Sequence, residues 1–174
     1  MANPSISRDC VHALAEACSE EGEAFQSVAA RLMKSQRRLS RFFEQGAASL
    51  GKQEAEVSLY MCSVCLRVFD QVGGRMYKVS GRDLEQASAK IGAIADSVLP
   101  ADGLLPERVR QVEWRAQPHL LDEILWALYE KKDEDVQEGE LDIPPEKAAV
   151  VFMAMWVAVE ALDARWHAPK ELTC

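Results

Sequence analysis

Long apolar runs are what this chain of 174 residues most clearly lacks. The longest, "AAVVFMAMWVAV" at 148–159, has 12 residues and stops at Glu160, whereas a membrane-crossing helix needs about 20. It predicts a buried core helix instead. The opening "MANPSISRDC" puts no apolar stretch behind a basic start, so no signal peptide is expected. Cysteine is sparse and unevenly spaced, at 10, 18, 62, 65 and 174, unlike the framework of a small secreted domain. A reducing cytoplasm is the simplest compartment for such thiols. Catalytic signatures are missing too. There is no Gly-x-Ser-x-Gly, no phosphate-binding loop and no dinucleotide fingerprint, so no motif calls for those enzyme classes. Triad members can lie far apart in the chain, however, and a missing motif is weak evidence against an enzyme. Strand-like alternation is confined to "MYKV" at 76–79, which has no obvious partner, and no repeat or linker divides the chain.

Helical periodicity fills the rest. A first helix is expected over 7–18. A second, from the Ser19 cap to about Gln45, carries Phe25, Val28, Ala29, Leu32, Leu39 and Phe43 at three-four spacing, the mark of a stripe packed on neighbours. A third, 53–72, is apolar on nearly every side from Val57 onward and is expected to be the most buried element. Ser80 with Asp83 three residues on resembles a start signal for a helix to about Leu99. Pro106, Pro118 and Pro145 each suit a first helical turn, giving segments to about Arg115, Lys132 and Trp166. The chain therefore reads as all-α, one domain over 1–174, an antiparallel bundle of six or seven helices.

Within that frame, "SLYMCSVCLRVF" at 58–69 holds a Cys-x-x-Cys pair. Reactive pairs of this kind use a helix N-terminus or a cation to stabilise the thiolate. Cys62 and Cys65 lie mid-helix beside Met61, Val64 and Leu66, so they read as small core residues. The three histidines each have a carboxylate within helical reach, but acids are 28 of 174 residues, frequent enough for chance to supply such neighbours. His119, Asp122 and Glu123 are the one cluster that could serve a metal- or cofactor-dependent enzyme in a helical bundle. No cofactor is called for by any motif. Trp126 is expected in the core, and Trp114 and Trp166 are expected to be partly exposed.

Charge is the most informative feature. Residues 1–118 balance 15 acids with 15 bases, while residues 119–174 hold 13 acids and 5 bases and so account for the net −8. Six of those acids sit in "DEDVQEGELD" at 133–142, which is expected to be a mobile, solvated loop. Against this background "RLMKSQRRLSR" at 31–41 has five cations and no acid. On a helix Arg31, Lys34, Arg38 and Arg41 share one flank, repelling by about 0.2–0.5 kcal/mol per pair. Either acids within the chain or an acidic partner should offset that repulsion. "VGGRMYKVSGR" at 72–82 adds cations and glycines before a helix start, although turn and cap chemistry already explains the glycines. The reading that follows is a non-catalytic cytoplasmic interaction or regulatory protein using segregated charged surfaces. An acidic protein partner for the stripe and self-association are both left open. Nucleic acid is disfavoured by the overall −8, though a nucleic-acid accessory role through the basic stripe stands as an alternative. Membrane binding is not expected.

Overall fold

A computed structural model describes residues 2–46, 49–131 and 143–174. The class is all-α. Among the described residues nine α-helices run in the order α1 (Arg8–Glu21), α2 (Glu23–Ser35), α3 (Arg37–Gly46), α4 (Lys52–Val72), α5 (Gly81–Gly92), α6 (Ala95–Val98), α7 (Leu105–Arg110), α8 (Pro118–Leu125) and α9 (Pro145–Arg165). A π-helical turn, Trp126–Glu130, continues α8. Strands β1 (Arg75–Met76) and β2 (Trp166–His167) pair antiparallel, Arg75 opposite His167 and Met76 opposite Trp166.

The count exceeds the expected six or seven because two expected helices are each split, the second at Gln36 and the one from Ser80 after Gly92. The first break falls at Gly22, not at Ser19. Ser7 caps α1 by accepting from the Cys10 amide, and α1 runs on to Glu21, where Gly22 turns the chain with φ at +56°, a conformation that favours glycine. The expected second helix is then split again at Gln36, as described below. Ser80 and Asp83 do cap α5 reciprocally, the Asp83 amide donating to Ser80 Oγ at 3.2 Å and the Ser80 amide to Asp83 Oδ2 at 2.7 Å. That helix ends at Gly92 rather than Leu99, and the segment from Pro106 ends at Arg110 rather than Arg115.

α9 is the element around which the others pack: it lies against α4, α5, α8 and the π turn. Eleven of its 21 residues are buried, against nine of 21 in α4. The expectation that α4 would be the most buried is thus corrected. α4 gives buried positions to Glu54, Ser58 and Ser63, whereas every buried residue of α9 is apolar. Glu54 is held by Lys147 at 3.3 Å, and its carboxyl sits below the usual range through its backbone hydrogen bond and that lysine, against the opposing effect of burial.

β2 also corrects two expectations. "MYKV" has a partner at its leading edge, and Trp166 is not a half-exposed helix-end residue. It is 2% exposed, packs on Phe69 with ring centroids 5.1 Å apart and donates from Nε1 to the Gly73 carbonyl at 3.0 Å. The approach of β2 explains Gly74, whose φ is +83° and where any Cβ would collide with the His167 carbonyl. Trp126 is half-buried at the π turn, edge-on to His12. Trp114 is half-buried as expected, and stacks on the fully buried Trp156 at 5.5 Å.

Cys10 and Cys174 form a disulfide across 164 residues, while Cys18, Cys62 and Cys65 are free. The uneven cysteine spacing gave no hint of this pairing. A disulfide is not what a reducing cytoplasm usually sustains. No helix among the described residues is long and apolar enough to cross a membrane.

Candidate functional site

The basic stripe survives folding as a surface, although not on one helix. α2 buries Phe25 and Leu32, α3 buries Leu39 and Phe43, and both helices turn their cations outward. Arg31, Lys34, Arg37, Arg38 and Arg41 are all exposed. None of them makes an ion pair among the described residues. Elsewhere cations do find acids: Arg110 and Arg115 on Asp122, Arg165 on Asp83, Arg108 on Asp102.

Between the two helices sits Gln36, 3% exposed. Its backbone leaves the helical region (φ −124°, ψ 66°), and its side chain reaches across to the segment after β1. Gln36 Nε2 donates to the Tyr77 carbonyl at 3.0 Å, and Gln36 Oε1 accepts from the Val79 amide at 2.9 Å. One primary amide thereby fastens a second acid-free stretch beside the first. Residues 24–43 contain five cations and no acid, and residues 71–82 contain Arg75, Lys78 and Arg82 and no acid.

Tyr77 stands at this junction, 39% exposed. Its ring centroid lies 4.8 Å from that of His167 and 4.9 Å from the Arg75 guanidinium carbon. The Tyr77 amide donates to the Arg165 carbonyl at 3.0 Å, which ties the ring to the end of α9. The acid nearest in sequence, Asp83, is already engaged: it caps α5 and receives Arg165 Nε at 2.7 Å. Burial opposes its ionised form, yet Arg165 and Ser80 hold the carboxyl below its usual range. Sequence reasoning found the stripe and noticed the cations of 72–82, but it missed Gln36, Tyr77 and His167 as a joint. A shared absence of acids was the only signal that could have linked the two stretches.

The alternative cluster does not assemble. Asp122 faces Arg115 at 2.8 Å and Arg110 at 3.5 Å. Glu123 instead meets His12 from α1, its Oε1 lying 2.9 Å from Nδ1, while Glu16 lies 3.1 Å from Nε2. His119 is half-buried and joins neither carboxylate. Among the described residues no group of three or more His, Cys, Asp or Glu could hold a metal ion. The hydrogen bond that His12 donates to Glu123 raises the His12 pKa above its ordinary value; desolvation opposes the shift, and the negative charges of Glu123 and Glu16 add to it.

Cys62 and Cys65 are fully buried. Desolvation pushes the Cys65 thiol up to about 12 and the Cys62 thiol well above its normal value, so neither supplies a thiolate at neutral pH. Beside Cys65, a cavity of about 100 Å³ opens between α1, α4 and α8, walled by Val11, Ala15, Met61, Val64 and Ile124. The carboxylate at its edge, Glu123, is the one bound to His12. The acidic stretch 133–142 lies outside the described residues. No family model, curated protein or solved structure matches this chain.

Proposed function

We propose that this chain is a non-catalytic helical interaction protein that docks an anionic partner on the α2–α3 face, acting as a single domain in the cytoplasm. One observation carries the reading: five exposed cations, Arg31, Lys34, Arg37, Arg38 and Arg41, stay without an ion pair among the described residues of a protein whose net charge is −8. Like charges three or four apart repel, as Arg31 and Lys34 do on α2 and Arg37, Arg38 and Arg41 on α3, and are costly to keep unless something outside the fold uses them. The reduced thiols of the cytoplasm accord with the free Cys18, Cys62 and Cys65. The Cys10–Cys174 bond would be the exception there, exposed to reductant at its Cys174 end.

The test is retention on a polyanion. At low salt the wild-type chain should bind immobilised heparin despite its net negative charge and elute as salt screens the contact. Arg31→Gln, Lys34→Gln, Arg38→Gln and Arg41→Gln combined should flow through while melting like the wild type, since all four side chains are exposed. A wild-type chain that passes straight through at low salt sinks the reading.

A further inference from the structure

We infer that the partner of this face is a single-stranded nucleic acid, with its phosphates along the cations of α2–α3 and a base resting on the Tyr77–Arg75 platform. The inference rests on the docking reading above and narrows it to one chemistry. Three observations select that chemistry over an acidic protein segment.

First, the face is composite. Gln36 joins two stretches that together hold eight cations and no acid across 32 residues, 24–43 and 71–82. A polyanion with regularly spaced charge can use such an area along its length. The net −8 does not cancel it, because exposed charges separated by more than about 8 Å are largely screened at physiological ionic strength.

Second, an exposed ring sits where the two stretches meet. Carboxylates need only cations, but a base needs a flat apolar surface. Tyr77, with the Arg75 guanidinium over its ring and His167 beside it, combines aromatic and guanidinium planes at one point. Bases stack on both kinds of plane, without strong sequence preference.

Third, the platform is held in place. Tyr77 is hydrogen-bonded through its carbonyl to Gln36 and through its amide to the Arg165 carbonyl. Single-stranded rather than duplex nucleic acid follows, because only an unstacked base can reach a side-chain ring.

Fluorescence anisotropy of the full chain decides the matter, using labelled oligothymidine and oligouridine of about 15 nucleotides, within the span of single-strand sites. A duplex of equal length and an oligoglutamate peptide serve as competing probes. The single strands should bind most tightly. Tyr77→Ala should weaken them roughly tenfold, the loss typical of one stacked base, and leave the salt slope unchanged. Removing Arg31, Lys34, Arg38 and Arg41 should instead flatten the slope by about 0.7 for each phosphate no longer neutralised. Tyr77→Phe should restore binding, which separates loss of the ring from loss of the fold. Tighter binding of oligoglutamate or of duplex, or indifference to Tyr77→Ala in a folded variant, overturns the nucleic-acid inference while leaving the docking reading in place. Failure of every probe to bind at low salt removes both.

Discussion

Replacing Gln36 by alanine tests the joint on which the composite face depends. The side chain is 3% exposed and makes two hydrogen bonds, to the Tyr77 carbonyl and from the Val79 amide. Their loss is not symmetrical. Val79 is itself 3% exposed, so its amide would be left without water or partner, a penalty of about 1–3 kcal/mol. The hydrogen bond to the Tyr77 carbonyl is only part-buried, which limits that term to about 1 kcal/mol. Together the expected destabilisation is about 2–4 kcal/mol. For a chain of this size that amounts to a fall in melting temperature of roughly 5–15 °C. Urea denaturation followed by helical circular dichroism measures it directly. Gln36→Glu should be at least as damaging, because a buried carboxylate cannot donate to Tyr77. A loss below about 0.5 kcal/mol for Gln36→Ala, the range of neutral surface changes, would show that the α2–α3 break and the 77–79 segment are held by something else.

Leu66→Ala, at a buried site of α4, should cost about 2–5 kcal/mol by denaturant titration, whereas Cys62→Ala and Cys65→Ala should fold with polyanion binding intact. Loss of binding in a cysteine variant that melts normally would give those thiols a functional role after all. His12 should titrate above its ordinary value and move back toward it in Glu123→Gln, read by NMR. Because the folded-state pKa is raised, the pair's contribution to stability is complete below the unfolded histidine pKa and fades as pH rises through the folded one. A His12 titration unmoved by Glu123→Gln would refute that assignment. Thiol counting in denaturant should find three free thiols before reduction and five after it, as the Cys10–Cys174 bond requires; five from the start would refute the bond. Closure of a 164-residue loop is worth up to about 5 kcal/mol in the chain-entropy account, so reductant should lower the melting temperature.

What could be read from the sequence was what local chemistry decides. α4 and α9 were legible at nearly full length because their apolar residues leave no alternative to burial, and the Ser80–Asp83 cap was legible because both partners lie within one turn. The stripe was legible as well, since charge and spacing need no tertiary knowledge. The α2–α3 break was not. Ser35, Gln36 and Arg37 continue a helical pattern, and only the distant Tyr77 and Val79 make the break favourable. The same holds for Glu123, which sits near His119 in sequence but finds His12 on another helix. Trp166 looked like a helix-end residue until strand pairing carried its indole onto Phe69 and Gly73. Each of these misses joins residues more than forty positions apart.

The central place of α9 also has a bearing on how the chain is made. Protein synthesis runs from the N-terminus, at about 5–20 residues per second, so roughly 5–20 s separates the making of Val72 from that of Arg165. During that interval Phe69 and Val72 of α4, Leu84 and Ile91 of α5, and Leu121 and Leu125 of α8 exist without the helix they are built to enclose. The fold cannot be completed outward from its beginning; its keystone arrives after most of the arch. Nascent chains halted before Pro145 should therefore be protease-sensitive and attractive to chaperones, and chains halted with α9 clear of the ribosome should not. Release of α9, more than the formation of any earlier helix, is therefore expected to commit this sequence to its structure.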